Sequence, residues 1–282
     1  MSDRDAQTRL NHVLRLILYW FERALMLACD LWFACLPRSR PSMEAMRNCR
    51  IVSHRGEHDN RQVRENTLAA FQPAAEAGCW GLEFDVRWTR DLQPVVMHDA
   101  DAKRVFDRDI VIAECTLEQL QREIPEIPTL EEVLRRFGGR QHLMIELKRD
   151  DMGEIERRQN RLRELLAALT PAEDYHILAL HPQLFELVEF AGPRAWLPVA
   201  ELNLAAMSQF ALSRGCDGIC AQYLLLSRDL MARHRAVGQR IGSGFAASRF
   251  GLYREINRGV DWIFTNHALR LEAIRQQQIR SD

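Results

Sequence analysis

Short β-rich runs alternating with helical stretches, and charged residues gathered at the ends of those runs, predict a parallel β/α barrel for this chain of 282 residues. The strand candidates are Arg50 to His54, Gly81 to Val86, Pro94 to His98, Leu143 to Lys148, Tyr175 to Leu180, Ala195 to Ala200, Gly218 to Gln222, Arg240 to Phe245 and Trp262 to Thr265. Between them, Thr67 to Ala77, Leu130 to Phe137, Glu154 to Leu169, Pro182 to Phe190, Ala205 to Arg214 and Arg228 to Val237 carry apolar residues at three- and four-residue spacing, the period of a helix face. This set holds one strand too many for an eight-stranded barrel. Chain length removes the excess: a parallel crossover needs roughly a dozen residues, and only a few separate Thr89 from Pro94. Gly81 to Val86 and Pro94 to His98 are therefore expected to form a hairpin. A single barrel of roughly 250 residues then fills residues 49–282, leaving residues 1–48 as an N-terminal appendage.

The appendage is dominated by an apolar stretch from Val13 to Leu36, long enough to cross a bilayer if helical. Arg15, Glu22, Arg23 and Asp30 interrupt it, and at 100° per residue they fall on one side together with His12 and Tyr19. A helix with a wide apolar face and its charges aligned lies in a membrane interface, or packs on the protein's own core or a second copy. A spanning helix would bury those charges at a cost of some kcal/mol each. Acidic residues break the pattern of a cleaved signal peptide, and no small-residue cleavage site precedes Pro37. Arg38, Arg40, Arg47 and Arg50 follow and suit an anionic cytoplasmic leaflet, so the expectation is a cytoplasmic protein attached to the inner face of a membrane through residues 13–36. Pro37 to Met46 reads as the linker. A net charge of -1 gives no electrostatic reason to expect nucleic acid. Seven cysteines without a C-x-x-C pair indicate neither a disulfide framework nor a zinc site.

The chemistry concentrates at strand ends, where a β/α barrel places its active site. His54 and Arg55 end the first strand. Glu83 and Asp85 stand two residues apart on the second, so both carboxylates face one side. Such a pair repels itself unless a cation, a proton or a basic side chain lies between, and a hard divalent ion with oxygen ligands, Mg²⁺ or Ca²⁺, is the economical answer. Glu146 and Lys148 repeat the two-residue spacing on their own strand, and His98 ends the hairpin. Taken singly, Lys148 could be a counter-ion for Glu146 and Arg55 a surface residue. Two histidines, three carboxylates and two cations together have no cheap structural explanation, because buried charge costs several kcal/mol unless it is paired or organised around a function.

These residues fall in consecutive motifs: Ser53-His54-Arg55-Gly56, Glu65-Asn66-Thr67 with Ala70-Phe71, Glu83-Phe84-Asp85-Val86 with Thr89 and Asp91, and Val95-Val96-Met97-His98-Asp99. Ile127-Pro128-Thr129-Leu130-Glu131-Glu132-Val133-Leu134 and Ile145-Glu146-Leu147-Lys148 continue the series. In order and spacing the series resembles the glycerophosphodiester phosphodiesterase family, phospholipase C-like barrel enzymes. The resemblance implies a TIM-type (β/α)8 barrel and a divalent ion, Mg²⁺ or Ca²⁺, held by Glu83, Asp85 and Glu146. It implies that His54 and His98 form an acid/base pair, that Arg55 and Lys148 hold the phosphate, and that Glu65 and Asn66 line the same site. Glu65 could equally serve as a helix-start acid or a partner of Arg55. The second half of the chain departs from the family pattern. Ala179-Leu180 stands for Ser-Phe, Ser243-Gly244-Phe245-Ala246 for a Trp-Thr-Val-Asn-like run, Asn266-His267 follows Thr265 where Asp-x-Pro is usual, and Leu92 takes a turn position normally held by Gly. These changes are expected to alter the wall facing the alcohol part of the substrate and to leave the metal and acid/base residues intact.

The function expected from this reading is metal-dependent hydrolysis of glycerophosphodiesters to an alcohol and glycerol 3-phosphate. The apolar N-terminal segment raises a second possibility, lysophospholipase D-type hydrolysis of membrane lysophospholipids. The divergent second half raises a third, an inactive membrane-bound phosphate sensor.

Overall fold

The computed structural model describes residues 28–29, 31–150 and 153–280. Nine strands form one sheet: β1 (Arg50–His54), β2 (Gly81–Trp88), β3 (Pro94–Val96), β4 (His142–Leu147), β5 (Tyr175–Ala179), β6 (Trp196–Ala200), β7 (Gly218–Gln222), β8 (Arg240–Gly244) and β9 (Trp262–Thr265). Their order is β1-β9-β8-β7-β6-β5-β4-β2-β3, and a β1–β2 pairing closes eight parallel strands into a barrel. Only β3 runs antiparallel, with Val86 opposite Val96, so the hairpin expected from loop length is present.

Helices follow the strands on the outside. The ones that position the site are α1 (Met43–Asn48), α2 (Leu68–Glu76), α3 (Lys103–Phe106), α4 (Leu117–Glu123), α5 (Leu130–Phe137), α6 (Ile155–Leu166), α7 (Leu204–Arg214), α8 (Arg228–Ala236), α9 (Arg249–Arg258) and α10 (Ala268–Arg280). Their starts are written in the sequence. Thr129 and Glu132 form a capping box on α5, Thr116 and Gln119 another on α4, and Thr67 caps α2. Pro182 to Phe190, expected as an α-helix, is a 3₁₀ stretch over Pro182–Ala191 with a kink at Val188.

The expected linker is also corrected. Part of Pro37 to Met46 belongs to α1, which Ser42 caps by accepting from the Ala45 amide at 3.2 Å. Met46 is fully buried, and Arg275 of α10 donates to its carbonyl at 3.2 Å. The signal was present as a capping serine, an acidic first turn (Glu44) and a basic last turn (Arg47). Of the apolar stretch from Val13 to Leu36, residues 13–27 and 30 lie outside the described residues. Among the described residues no helix is long and apolar enough to cross a membrane.

The interior of the barrel follows from the two-residue period. One face of β4 presents His142, Met144 and Glu146 in turn, that of β5 His176 and Leu178, and that of β9 Trp262 and Phe264. The middle layer is apolar, with Val52, Met144, Leu178, Leu197, Cys220 and Phe264 in one buried cluster. Gly242 on β8 leaves room for it, since a Cβ there would stand 2.4 Å from the Cys220 sulfur and 2.9 Å from the Phe264 ring. Polar groups are thereby sorted to the two ends.

Candidate active site

Register brings the carboxylates together. Asp85 on β2 lies beside Glu146 on β4, and Glu83 lies beside His54 on β1. Adjacent strands are about 4.8 Å apart and partners point the same way, so three acidic side chains and a histidine are forced into one volume at the carboxyl ends of the strands. One oxygen from each of Glu83, Asp85 and Glu146 lies within 4.8 Å of the others, and all three residues are buried.

Their surroundings are unequal. Burial first, then Asp85 and Glu146, push the Glu83 carboxyl well above the ordinary range. Its Oε1 is buried without a hydrogen-bond partner. Burial also acts on Asp85, but Lys148 at 2.9 Å and Arg55 at 3.1 Å outweigh it and hold this carboxyl well below its usual value. Lys148 is also paired with Glu146. The donor set is hard oxygen, crowded and short of positive charge, with one buried Glu83 oxygen left without a hydrogen-bond partner; these residues fit a hard divalent ion.

The chain after β1 folds tightly onto this cluster. Arg55 has φ 57° and Gly56 φ 79°. A Cβ on Gly56 would lie 2.6 Å from that of Ala70, so only glycine fits against α2. This turn aims the Arg55 amide at Glu83 Oε2, 3.1 Å away, while its guanidinium reaches both Asp85 and Glu65. Asn66, at φ 60°, donates from Nδ2 to Asp85 Oδ2 at 2.8 Å. Holding two non-glycine residues in this region costs about 1–3 kcal/mol each, and both orient Asp85. The structure thus gives Asn66 a partner within the protein. Glu65 likewise accepts from Arg55 at 3.1 Å, from Arg104 at 2.6 and 3.0 Å, and from Asn60.

The two histidines sit in different settings. His54 is enclosed by the Phe245 ring, 4.6 Å between centroids, and lies 3.7 Å from Glu83. Burial first, and the Arg55 charge next, lower it to about 3. Its Nδ1 is 2.6 Å from Asn266 Oδ1, an acceptor, so Nδ1 carries the proton and Nε2 the lone pair. His98 is more open, with 32% of its side chain exposed, and its Nδ1 is 2.6 Å from Asp99 Oδ1. Burial would raise Asp99, but hydrogen bonds from His98 and Arg104 hold it down at about 2. Arg87 donates to the His98 carbonyl at 2.8 Å and pairs with Asp150, which fixes the end of the hairpin.

The divergent second half also reaches the histidine: Asn266 and Phe245 are direct partners of His54. Sequence reasoning also passed over Arg87, Asp99 and Arg104. Arg87 continues the Glu83-Asp85 spacing by one further step along β2, and Asp99 adjoins His98; both signals were legible. The Arg104 contact, 39 residues from Glu65, was not.

Residues 54–182 match the family model described as glycerophosphoryl diester phosphodiesterase family. A glycerophosphodiester phosphodiesterase of Caldanaerobacter subterraneus is 36% identical over 110 residues, 35% of this chain and 44% of that protein. Human glycerophosphodiester phosphodiesterase 1 is 36% identical over 97 residues, 29% of this chain and 28% of that protein. The matched stretch thus spans less than half the length of these relatives. Among solved structures, a glycerophosphodiester phosphodiesterase of Thermotoga maritima superposes with a TM-score of 0.68 at 23% identity, covering 80% of this chain and 98% of that one. An Oleispira antarctica phosphodiesterase in complex with the product sn-glycerol-3-phosphate gives the same score and identity, covering 80% and 96%. Residues 54–182 therefore resemble the glycerophosphoryl diester phosphodiesterase family, and the whole barrel shares the fold of these solved structures.

Proposed function

We propose that the chain hydrolyses glycerophosphodiesters to an alcohol and glycerol 3-phosphate with a divalent ion at Glu83, Asp85 and Glu146. The observation that carries this reading is the buried triad of carboxylates within 4.8 Å of one another, bordered by His54, Arg55 and Lys148 at the catalytic end of the barrel. A bound divalent ion would supply positive charge to the diester's phosphate oxygens as the transition state forms. Arg55 and Lys148 add fixed positive charge beside the same oxygens. His54, with its lone pair on Nε2, takes the proton from the attacking water or substrate hydroxyl as the new O–P bond forms. His98 returns a proton to the leaving alkoxide as the old O–P bond breaks. Asn266 and Asp99 each accept from the Nδ1 of one ring, which leaves both Nε2 atoms for this exchange.

A second substrate class, membrane lysophospholipids, is favoured by one observation: Leu202 and Leu224, on loops that follow β6 and β7, are 98% and 48% exposed. Attachment of residues 13–36 to the inner face of a membrane belongs to the same reading. Purified protein is to be assayed on glycerophosphocholine and lysophosphatidylcholine, with Mg²⁺ or Ca²⁺ and with EDTA. Release of glycerol 3-phosphate that EDTA stops supports the first class. Turnover of lysophosphatidylcholine alone moves the assignment to the second, and turnover of neither overturns both.

A further inference from the structure

Six large apolar side chains are exposed among the described residues, namely Leu31, Trp32, Val111, Leu202, Leu224 and Val237. They are not spread evenly. Leu202 lies two residues past the end of β6 and Leu224 two past the end of β7, both at the catalytic end. Val111 bridges to Asp101, three residues beyond His98. Only Val237, which caps the end of α8 just before β8 begins, sits at the opposite end.

The path of the chain before the barrel puts Leu31 and Trp32 at the same end. Ser39 accepts from Asn257 at 2.8 Å and Arg40 donates to the Gln278 carbonyl at 2.7 Å, which ties this segment to the last turns of α9 and α10, far from the active site. Running backwards from there the chain climbs. Ala34 reaches Arg249 and Phe250 in the first turn of α9, and Phe33 packs edge-on against Tyr223 at 5.4 Å. Tyr223 directly follows β7. Leu31 and Trp32, 58% and 64% exposed, directly precede the Phe33 that packs on Tyr223, the neighbour of Leu224 in the chain, and the apolar sequence 13–27 precedes them.

Between Ala34, Phe250, Ala273 and Ile274 lies a cavity of about 540 Å³ whose rim carries the exposed Arg249 and Arg270, with no carboxylate in its lining. Apolar walls under two guanidinium groups complement an amphiphile with an anionic head, and Arg suits bidentate contact with phosphate. Tryptophan and leucine at a rim of this kind suit the interfacial layer of a bilayer.

We propose that the catalytic end of the barrel is a membrane-docking surface. Leu31, Trp32, Leu202 and Leu224 enter the interfacial layer of an anionic bilayer, Arg249 and Arg270 contact lipid phosphates, and the carboxylate site faces the lipid headgroups. This rests on the membrane part of the reading above and adds to it the face that docks.

The test is sedimentation of the full chain with vesicles of phosphatidylcholine alone and of phosphatidylcholine mixed with phosphatidylglycerol. The wild-type chain binds both and prefers the anionic ones. Leu202→Asp with Leu224→Asp weakens binding roughly tenfold or more while hydrolysis of soluble glycerophosphocholine is unchanged, and Val237→Asp at the far end changes neither. Arg249→Ala with Arg270→Ala removes the anionic preference, roughly fivefold per residue. If the Asp pair also loses soluble activity, Leu202→Ser with Leu224→Ser is read by the same criteria. Unchanged binding of the loop variants overturns the docking face and leaves the N-terminal anchor standing; failure of the wild-type chain to bind either vesicle overturns both.

Discussion

The barrel has a polar cluster at each end, built from the same residue types, and the two differ in how their charges balance. At the end opposite the active site, His142 Nδ1 donates to the Glu173 carbonyl at 2.9 Å, and His142 Nε2 is 2.7 Å from His176 Nδ1. His176 Nε2 is 3.0 Å from Asp217, which Arg240 and Arg194 also hold. Trp80 stacks on His142 at 4.2 Å between centroids, and Arg240 lies 4.5 Å over the Trp262 ring. Every ring nitrogen of the two histidines lies within 3.0 Å of a polar atom, one carboxylate answers two guanidinium groups, and indole rings cover the chain, with only the buried Trp262 Nε1 left without a hydrogen-bond partner. At the catalytic end three carboxylates crowd together and a buried Glu83 oxygen has no partner. Two histidines, carboxylates and cations therefore do not define a site by composition. What distinguishes the end that holds Glu83 is an excess of acceptors, which a further cation or a proton can satisfy.

The largest effects should separate the two ends by activity. His54→Ala and His98→Ala should each lower turnover about 10²–10⁴-fold, the usual cost of removing a general base or acid. Asp217→Asn should leave kcat/KM within about threefold. Comparable losses from both ends would mean that the far cluster also shapes catalysis.

Stability should separate them in the opposite sense. Asp217→Asn leaves His176 and Arg240 without their buried anion and should cost about 3 kcal/mol, read from urea unfolding. Glu83→Gln, measured in EDTA, relieves repulsion from Asp85 and Glu146 and should be neutral or stabilising by about 1 kcal/mol. Added Mg²⁺ or Ca²⁺ should raise the melting temperature of the wild-type chain and not that of Glu83→Gln, because an ion that binds only the folded state stabilises it by mass action. A destabilised Glu83→Gln would show that the carboxylates need no ion to balance them.

Acid should act at both ends, through the buried His54 and through the pair at the closed end. Burial, and then the charge of His176, lower His142 to about 3, and burial lowers His176 as well. An unfolded histidine titrates near 6.5, so between about 6.5 and 3 the unfolded chain binds more protons than the folded one. Stability from this pair is therefore fully present above about 6.5 and is lost as pH falls toward 3. Melting temperatures followed from pH 7 downward should drop over this window. His142→Asn should cost about 1–3 kcal/mol at neutral pH, by leaving a buried partner unmet, and should flatten the slope. A slope left unchanged by His142→Asn would show that His142 contributes nothing to it, and the part that remains is expected from His54.

Much of this architecture was legible in the sequence. The barrel strands could be found because buried parallel strands are short apolar runs, and the hairpin because a loop of a few residues cannot cross over. The carboxylate triad was visible because Glu83, Asp85 and Glu146 obey the period of a strand. Helix α1 was missed because one capped turn and a half between Pro41 and Cys49 carries little periodicity. Glu65 pairs with Arg55, one of the alternatives open from sequence, whereas the bond from Asn66 to Asp85 was not legible. Motif membership marks a residue as near the site, whereas its hydrogen bonds decide whether it meets substrate or another side chain. Asn266 was the hardest to read: its partner His54 is 212 residues away and becomes a neighbour only when β1 pairs with β9.

That contact gives the smallest and most specific expected effect. Asn266 stands where the family pattern usually has Asp, and its Oδ1 accepts from His54 Nδ1 at 2.6 Å. A neutral amide fixes the ring's tautomer and favours its protonated form only modestly, so that with Asp85 it offsets burial and the Arg55 charge in part and His54 is lowered to about 3. Asn266→Asp keeps the acceptor and adds a negative charge beside the ring, which favours the imidazolium and should raise the His54 value by roughly 1–3 units. The base must be neutral to take a proton, so the acid limb of kcat/KM should move to higher pH by the same amount. A stronger base should also raise the plateau, by less than tenfold. Asn266→Ala removes the acceptor, lets the tautomer and ring orientation vary, and should lower kcat about tenfold without moving the limb upward. The pH profiles of kcat/KM for the three proteins on one diester decide the matter. An acid limb that stays in place in Asn266→Asp would remove His54 from the role of base, and with it the contrast between a histidine poised for proton transfer and the pair locked at the other end of the barrel.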